Sequence, residues 1–388
     1  MSSHYDVIIA GAGSFGMSAG YYLALAGVRV LLIDAGDPPH SLGSHHGSTR
    51  IVRTAYTMGA AYVKLALRAQ QLWKQLEEQS AELRTADEAY HGPLFERTGA
   101  ISVGPSGSAF IRSKTDSCTA FSIPHRLLTA SDIRREWPGL SVSDSMEGLY
   151  EPEAGVLYSE RIIRVLRQLA LAQGAELLAH TQVHGIEAGS GGHAVHTSNG
   201  SFTADRVLVS AGAWAGRLFP ELAAVTPIRK AVGWFEAPNP LYGAERLPVF
   251  IINNGGDEEY FGFPDLDGSG LKIGRHDGGR EVLYGQPLPA FGTYKEDEDE
   301  LRFALERFLP GAGRLRDGQV CLYERSPGER FWLGEVPGRT GVWFAGGGSG
   351  HGFKFASAIG EAMSLALTGR QAESDLDWPA FSLPSSIK

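Results

Sequence analysis

Three glycines near the N-terminus and an aspartate downstream have the types and the spacing that bind a dinucleotide. Gly11, Gly13 and Gly16 follow the apolar run 7–10 and open a helical pattern, and Asp34 ends a second apolar run. Such glycines permit a tight turn, close approach of the backbone to a pyrophosphate, and close helix packing. The helix N-terminus offers amides to the phosphates, and the aspartate accepts hydrogen bonds from a ribose. The sequence therefore predicts a dinucleotide-binding βαβ unit.

The composition is that of a globular protein. The chain has 388 residues, of which 20% are charged and 43% hydrophobic, and its net charge is −9. This negative charge argues against nucleic-acid binding, which depends on basic patches. Cys118 and Cys321 lie far apart in the sequence, so we expect no disulfide framework. No run approaches the ~18 apolar residues of a membrane span. We therefore predict a cytoplasmic protein with no signal peptide, no membrane partner and no nucleic-acid partner.

The rest of the pattern predicts an α/β fold whose dinucleotide domain is discontinuous. Apolar strands at 206–210 and 341–345 each run into glycines, which is typical of close approach to a large cofactor. Residues 227–292 alternate apolar and polar positions between turn glycines, which predicts antiparallel sheet. The predicted Rossmann-like domain comprises 1–85, 150–220 and 320–375, the inserted α+β substrate domain comprises 86–149 and 221–319, and 376–388 is a C-terminal tail.

Local periodicity predicts the other elements. The predicted helices are 61–84, 160–173 and 297–308, with helical pieces in 107–138 and a last helix that ends near 368. The predicted strands are 94–103, 177–183, 185–188, 193–197 and 202–204, and 149–159 is predicted to be a loop or an edge segment.

Several runs occur in an order that carries a family resemblance. These runs are 6–34, the sequence SHHGSTR at 44–50 with Arg53 and Tyr56, GLKIGRH at 270–276, the segment around Cys321, and SGHGFK at 349–354. Along essentially the whole chain they closely resemble the family of monomeric sarcosine oxidase and N-methyl-tryptophan oxidase. The resemblance implies FAD on the Rossmann-like domain, a secondary amino acid and oxygen as substrates, and a monomer. Sarcosine would yield glycine, formaldehyde and hydrogen peroxide.

The resemblance also implies how the flavin is held. Cys321 matches the cysteine that binds FAD covalently as an 8α-thioether, whereas a lone cysteine is otherwise most often a small buried apolar residue. Further contacts with FAD are implied for Gly11, Gly13, Gly16, Asp34, Ser44, His45, Arg50, Val183, Gly212, Trp214, Gly346, Gly348, Gly350, Gly352 and Lys354.

Three residues have implied catalytic roles beside the flavin. Lys272 matches a cation that activates oxygen, since a fixed positive charge stabilises superoxide as it forms. The alternative for Lys272 is an ordinary solvated lysine. Arg50 and His46 would lie against the flavin rings, where Arg50 would stabilise negative charge on the reduced flavin.

Two cations are the implied ligands of the substrate carboxylate. Arg53 offers a planar fork and Lys354 a point charge, and the alternative is that both are surface cations. Tyr56, Phe261, His276 and Tyr323 match residues that line the pocket, and the alternative is ordinary core aromatics and a hydrogen-bonded core histidine. No metal site is predicted, because His40, His45 and His46 have no acidic or cysteine partners interleaved.

The chain departs from the family pattern at five positions. Ser48 stands where an aspartate is usual, Thr54 where a histidine is, and Met58 where a glutamate is. Phe261 replaces a tyrosine, and Gly334 replaces an aspartate. These changes leave the cofactor chemistry intact but put the identity of the amine in doubt.

Sarcosine, or a similarly small N-methyl amino acid, is the favoured substrate. The alternatives are a bulkier N-methyl amino acid such as N-methyl-L-tryptophan, and a cyclic imino acid such as pipecolate or proline. A flavin dehydrogenase that delivers electrons to a quinone or to a carrier protein is a different enzyme class with the same fold. A flavin-binding protein without catalysis is the alternative outside enzymes.

Overall fold

The computed structural model describes residues 4–86, 90–189, 191–283 and 286–384. In this part of the chain the strands are β1 His4–Ala10, β2 Val30–Ile33, β3 Thr49–Val52, β4 Phe95–Glu96, β5 Ala100–Pro105, β6 Arg126–Thr129, β7 Met146–Glu151, β8 Gly155–Tyr158, β9 Glu176–Leu178, β10 Val183–Gly189, β11 Gly192–Thr197, β12 Gly200–Val209, β13 Thr226–Phe235, β14 Val249–Asn253, β15 Glu259–Phe263, β16 Leu271–Arg275, β17 Arg280–Glu281, β18 Leu315–Arg325, β19 Trp332–Glu335 and β20 Val342–Gly346.

The α-helices are α1 Ser14–Leu25, α2 Ala60–Gln79, α3 Ala81–Ala86, α4 Ala109–Ala120, α5 Ala130–Glu136, α6 Ser159–Ala172, α7 Ala215–Leu218, α8 Glu296–Phe308, α9 Ala356–Leu367 and α10 Trp378–Phe381. Single 3₁₀ turns at Gly212–Trp214 and Phe353–Phe355 follow the glycine junctions. Among the described residues, no helix is both long enough and apolar enough to cross a membrane.

The first sheet has the parallel centre that the glycine motif predicts. Its strand order is β10-β11-β12-β1-β2-β9, and β20 pairs with β12. Strands β2, β1, β12 and β20 run parallel, so their carboxyl ends meet at one edge. Helices α1 and α9 pack closely, because a Cβ at Gly360 would lie 2.5 Å from the Cβ of Ser18. A dinucleotide would bind at this edge, where the strand order reverses.

The second sheet is largely antiparallel. Its order is β17-β13-β16-β15-β14-β5-β7-β6, and β18 pairs with β13. Only the pair β14 and β5 is parallel among the described pairs of this sheet. Strands β3, β8 and β4 form a third, small sheet. Two kinds of sheet in one chain agree with the predicted α/β fold; the boundaries of the predicted domains stay a prediction.

Each large sheet has its own hydrophobic core. The core of the first sheet includes Ile9, Leu23, Trp73, Ile163 and Ile359, which come from β1 and from helices on one face. The core of the second sheet includes Ile101, Phe250, Ile273, Leu305 and Phe308. Both cores follow the predicted periodicities, with helices at 60–79, 159–172 and 296–308 close to their predicted limits.

Several local predictions were wrong where a short strand depends on a distant partner. Residues 126–129, predicted to be helical, form β6 because they pair with β7. Residues 149–159, predicted to be a loop or an edge segment, contribute the end of β7 and all of β8, which pairs with both β3 and β4. The predicted strand 177–183 is interrupted by a turn in which His180 has φ +51°. The predicted strands 202–204 and 206–210 are one continuous strand, β12.

Candidate active site

The carboxyl edge of the first sheet opens onto a cavity of about 410 Å³. It lies between the glycine turn after β1, the aspartate after β2 and the turn after β12. The predicted cofactor residues that line it are Gly11, Gly13, Asp34, Ser44, His45, Val183, Gly212 and Trp214.

Each of the three motif glycines is required for a different structural reason. Gly11 has φ +102°, and a Cβ there would lie 2.5 Å from the carbonyl oxygen of Ser210. At Gly13 the nearest atom to such a Cβ would be His45 Nδ1 at 3.9 Å, so the backbone faces open space. Gly16 lines neither of the two cavities described here, because it packs against the Gly11 carbonyl. The first turn of α1 contains no acidic residue, which leaves its amides suited to an anion.

Asp34 is buried, and protein groups already use much of its hydrogen-bonding capacity. It accepts hydrogen bonds from the amides of Ala12 (2.7 Å) and Gly36 (2.8 Å) and lies 2.9 Å from His40 Nε2. Burial raises the pKa of Asp34, but these hydrogen bonds more than offset it and lower that pKa below its ordinary value. A carboxylate offers about four lone-pair positions, so room for a ribose hydroxyl remains.

A second cavity of about 340 Å³ adjoins the first. Ser14, Phe15, Ser44 and Glu324 line both cavities. The predicted residues that line the second cavity are His46, Arg50, Arg53, Tyr56, Phe261, Lys272, His276, Cys321, Tyr323, Gly348, Gly350, Gly352 and Lys354. Gly346 lines neither cavity, because a Cβ there would meet the ring of Phe344 at 2.3 Å.

Lys272 is desolvated by its position in the middle of a sheet. It lies opposite Trp234 of β13 and Phe263 of β15, and its Nζ is 5.0 Å from each ring centroid. Its Nζ donates to the carbonyl of Gly47 and to Thr49 Oγ1, the latter at 3.0 Å. Burial, and next the charge of Arg50, hold the pKa of Lys272 well below its ordinary value. The alternative of a solvated lysine is therefore wrong.

Arg50 and Glu160 hold the polar loop that carries the histidines. Arg50 Nη2 donates to the carbonyls of Ser44 and His46, both at 2.6 Å. Glu160 Oε1 accepts from the amide of Gly47 at 3.1 Å and lies 3.5 Å from His46 Nδ1. The contact with His46 contributes most to lowering the pKa of Glu160, which falls to about 2.

His45 lies behind this loop as a neutral imidazole. It is 1% exposed, and burial and then His40 lower its pKa to about 3. Its Nε2 accepts from the amide of His40 at 3.2 Å. His45 therefore lines the first cavity without contributing charge. No cluster of three or more possible metal ligands occurs in the described ranges.

A hydrogen-bonded chain positions Lys354. Its Nζ donates to Tyr56 Oη at 2.9 Å and to the carbonyl of His351 at 2.9 Å. Tyr56 Oη lies 3.4 Å from His351 Nδ1, and His351 Nε2 lies 3.1 Å from the carbonyl of Glu329. Because that carbonyl can only accept, His351 Nε2 carries the proton and Nδ1 accepts. The chain leaves the third proton of Lys354 for a ligand.

Arg53 lies beside this chain without an acidic partner among the described residues. Its guanidinium donates to the carbonyl of Ala55 and lies 4.4 Å from the ring centroid of Tyr56. Burial, followed by the charge of Arg53, lowers the pKa of Lys354 well below its ordinary value. Two cations with neutral partners face one cavity, which is an arrangement that favours an anionic ligand.

Cys321 and Tyr323 point to the same side of β18, as alternate residues of a strand do. Cys321 is a buried free thiol that lies opposite Lys230 of β13. Burial raises the pKa of this thiol, while Arg50 and Lys272 act in the opposite direction. The ring of Tyr323 lies 5.7 Å from that of His276. The thiol faces the same cavity as Arg53 and Lys354.

The comparisons with known proteins agree with this geometry. A family model described as FAD dependent oxidoreductase matches residues 6–365. The chain is 43% identical over 379 residues to the monomeric sarcosine oxidase of Bacillus sp. (strain B-0618), which covers 95% of this chain and 94% of that protein. It is 39% identical to the N-methyl-L-tryptophan oxidase of Yersinia pestis (strain Pestoides F), with 98% of each chain covered. The chain belongs to the FAD-dependent oxidoreductase family.

Solved structures share the fold of this family member. NikD, described as an unusual amino acid oxidase essential for nikkomycin biosynthesis, matches with a TM-score of 0.84, 20% identity, and coverage of 100% of this chain and 99% of that one. Glycine oxidase from Geobacillus kaustophilus matches with a TM-score of 0.82, 22% identity, and full coverage of both chains. The predicted fold class and the predicted family are confirmed. The oligomeric state and the cellular location stay predictions.

The residues present fit FAD. The two adjoining cavities provide an elongated space whose first part begins at the amides of α1. Gly13 presents bare backbone to this space, as a pyrophosphate requires. At the junction, Glu324 Oε2 is buried and has no hydrogen-bond partner in the described part of the chain. Glycines, an anion-binding helix end and an unpartnered polar atom all indicate that a polar group binds along this path.

Two of the five departures from the family pattern lie at the second cavity. Met58 and Phe261 line it. Thr54 is buried elsewhere, where its Oγ1 donates to Glu151 at 3.0 Å. Ser48 is exposed, and Gly334 lies in β19 without lining either cavity. Of these five departures, only Met58 and Phe261 are therefore placed to change the shape of the second cavity.

Sequence reasoning missed several residues of the site, and four of them have ionisable side chains that matter for its charge. Lys114, Glu259 and His351 line the second cavity, and Glu324 lines both. Two of them left a signal in the sequence, because Lys114 shares a helix face with buried residues and His351 lies in the run 349–354 that carries the family resemblance. Glu259 and Glu324 lie on strands, and the direction in which their side chains face depends on the tertiary structure.

Glu324 is the most strongly perturbed carboxyl group of the junction. Burial raises its pKa to about 7, although the amides of Gly348 and Gly347 act in the opposite direction. Since the ordinary pKa is 4.5, the folded chain binds this proton more tightly than the unfolded chain. Folding stability therefore falls as pH rises from about 4.5 to about 7 and stays at its lower value above that range.

We predict that Glu324→Gln stabilises the flavin-free protein at pH 8 but not at pH 4. The gain at pH 8 should approach about 3 kcal/mol, the free-energy equivalent of this pKa difference. Urea unfolding at both pH values measures it. The matched control is Glu306→Gln, on the exposed side of α8, which should change stability equally at both pH values. A gain for Glu324→Gln that is the same at pH 4 and pH 8 contradicts the prediction.

Proposed function

We propose that this chain oxidises the C–N bond of a small N-methyl amino acid, most simply sarcosine, with oxygen as the electron acceptor. The observation that carries the proposal is the pair Arg53 and Lys354, which face the cavity that also contains Cys321 and Lys272. Relatives of similar identity are named for sarcosine and for N-methyl-L-tryptophan. Their names support an N-methyl amino acid and leave its side chain open.

The two cations would bind the substrate carboxylate. Arg53 retains most of its donors, since the structure gives its guanidinium one hydrogen bond, to a backbone carbonyl. Lys354 retains one proton beyond those donated to Tyr56 and His351. A carboxylate between them would form charge-assisted hydrogen bonds in a desolvated space, where such bonds are strongest. The substrate would thus be fixed by its acidic end.

The same charges favour the reactive form of the amine. Positive charge from Arg53 and Lys354 disfavours a second cation nearby and so lowers the pKa of a bound amine. His351 is neutral, because burial holds its pKa well below its ordinary value. No carboxylate or imidazole is needed as a base if the amine binds without its proton. The rate should then rise with pH until the amine is neutral.

FAD, when bound, accepts two electrons from the amine and passes them to oxygen. Loss of two electrons, the methyl C–H proton and the N–H proton leaves an imine, and water cleaves it to formaldehyde and the primary amino acid. Oxygen takes the two electrons and two protons and becomes hydrogen peroxide. Lys272 would stabilise the negative charge that develops on oxygen.

A substrate panel tests the proposal. Sarcosine, N-methyl-L-tryptophan, L-proline and L-pipecolate are supplied to the purified flavoprotein, and hydrogen peroxide is measured. Sarcosine should give peroxide and an equal amount of formaldehyde. Peroxide from proline or pipecolate without formaldehyde would show that the substrate is a cyclic imino acid and not an N-methyl amino acid. A flavin that none of the four amines reduces would overturn the proposal.

Lys272→Met separates an oxidase from a dehydrogenase. Without the buried charge, flavin reoxidation by oxygen should slow by roughly a hundredfold or more, while anaerobic reduction by the amine should change far less. Stopped-flow absorbance measures both steps. Lys230→Met is the matched control: Lys230 is also a buried lysine of the second sheet, but it does not line the cavity. Equal reoxidation rates in the two variants would favour another electron acceptor.

Cys321 is proposed to bind the flavin covalently. The thiol faces the cavity; burial raises its pKa, and Arg50 and Lys272 partly offset that rise. After acid precipitation the yellow colour should stay with the pellet of the unmodified protein and enter the supernatant for Cys321→Ser. Cys118→Ser removes the other buried cysteine and should keep the flavin in the pellet. Flavin released from the unmodified protein would exclude the covalent bond.

A further inference from the structure

Lys114 occupies a helix position that normally belongs to the core. It shares one face of α4 with Ile111 and Cys118, at the i, i+3 and i+7 spacing of a buried stripe, and it is 1% exposed. Its Nζ donates to Ser102 Oγ at 2.9 Å and lies 3.7 Å from the ring centroid of Phe110. An apolar side chain would fill this position without the cost of burying an amine.

No carboxylate in the described ranges forms an ion pair with Lys114. Glu259, and less strongly Glu151, favour its ammonium form through space, and one oxygen of Glu151 already accepts from the amides of Thr54 and Ala55, each at 2.9 Å. Burial, and next the charge of Arg53, hold the pKa of Lys114 well below its ordinary value. An anion from outside the protein would stabilise the ammonium form at this position.

Lys114 lines the same cavity as the proposed substrate ligands. Five side chains with cationic groups line it, namely Arg50, Arg53, Lys114, Lys272 and Lys354, together with three carboxyl side chains, Glu259, Glu324 and Glu329. The formal charges therefore leave two positive charges in excess, and one substrate carboxylate on Arg53 and Lys354 reduces this excess to one. A second substrate carboxylate removes that excess.

We propose that the substrate is an N-methyl amino acid whose side chain ends in a second carboxylate, and that Lys114 binds this carboxylate. The inference rests on the proposed function, because it assigns the first carboxylate to Arg53 and Lys354. Lys114 is then a residue that determines specificity. It donates to one end of the substrate while the reacting C–N bond lies at the other end.

The test compares side chains that differ only in charge. The flavoprotein is assayed with N-methyl-L-glutamate and N-methyl-L-glutamine, and with N-methyl-L-aspartate and N-methyl-L-asparagine, alongside sarcosine. We expect kcat/KM for at least one acid to exceed that of its amide by about tenfold or more, the usual contribution of a hydrogen bond between charged groups. In Lys114→Met this ratio should fall to about one. Lys64→Met, which removes an exposed lysine of α2, should keep the ratio of the unmodified protein.

A binding measurement supports the kinetic one. Glutarate and its monoamide are titrated against the oxidised flavoprotein, and the change in flavin absorption gives both dissociation constants. Glutarate should bind about tenfold more tightly or better, and Lys114→Met should abolish the difference. Because the comparison of acid and amide needs only the unmodified protein, equal affinities for the two overturn the proposal even if the variant does not fold.

The outcomes separate this inference from the proposed function. Oxidation of sarcosine without a preference for either acid over its amide overturns the role of Lys114 and leaves the proposed function intact. A preference that persists in Lys114→Met assigns the second carboxylate to another residue and also overturns that role. A flavin that no N-methyl amino acid reduces overturns both.

Discussion

Buried positive charge is the constraint on which the rest of this structure depends. Lys114, Lys272 and Lys354 are each at most 8% exposed, and each donates to hydroxyl or carbonyl oxygens in place of a carboxylate. By contrast, Arg229 is buried with Asp297 in a two-pronged ion pair at 2.6 and 2.7 Å, away from the two cavities of the site. Away from the site, a buried cation is thus neutralised by a carboxylate of the protein itself. Around the second cavity the chain leaves cations with neutral ligands, which reserves their charge for a bound anion.

The two sheets divide the work of positioning. The parallel strands of the first sheet end together and present backbone amides and glycine turns, which suit a phosphate-containing cofactor. The second sheet presents side chains from the middle of its strands, where Lys272, Cys321 and Tyr323 are held by cross-strand neighbours. Side chains on rigid strands keep their positions better than side chains on loops. Where the polar loop 44–50 enters the site, Arg50 fixes it through the loop's own carbonyls.

The site residues that could be predicted from the sequence are those that belong to a recognisable local motif. Gly11 and Asp34 belong to a local strand–turn–helix–strand pattern, so their place at the sheet edge follows from the sequence. Arg53 and Lys354 came from motif resemblance, and the structure brings them to one cavity although they are distant in the chain. Glu324 was not predicted. Its burial depends on the turn at 347–348, which reaches it only after the second sheet and the end of the first have come together.

The sequence by itself determined the βαβ unit, the antiparallel region and the family, because periodicity and motif spacing are properties of neighbouring residues. Only the tertiary structure decided which charges are desolvated. Composition does not distinguish the buried lysines Lys114 and Lys272 from the exposed Lys64. The three differ in the residues that pack around them. The strand 126–129 was misassigned for the same reason, since its pairing with β7 is non-local. Burial and strand pairing depend on contacts between residues that are distant in the sequence, so a local sequence pattern does not predict them.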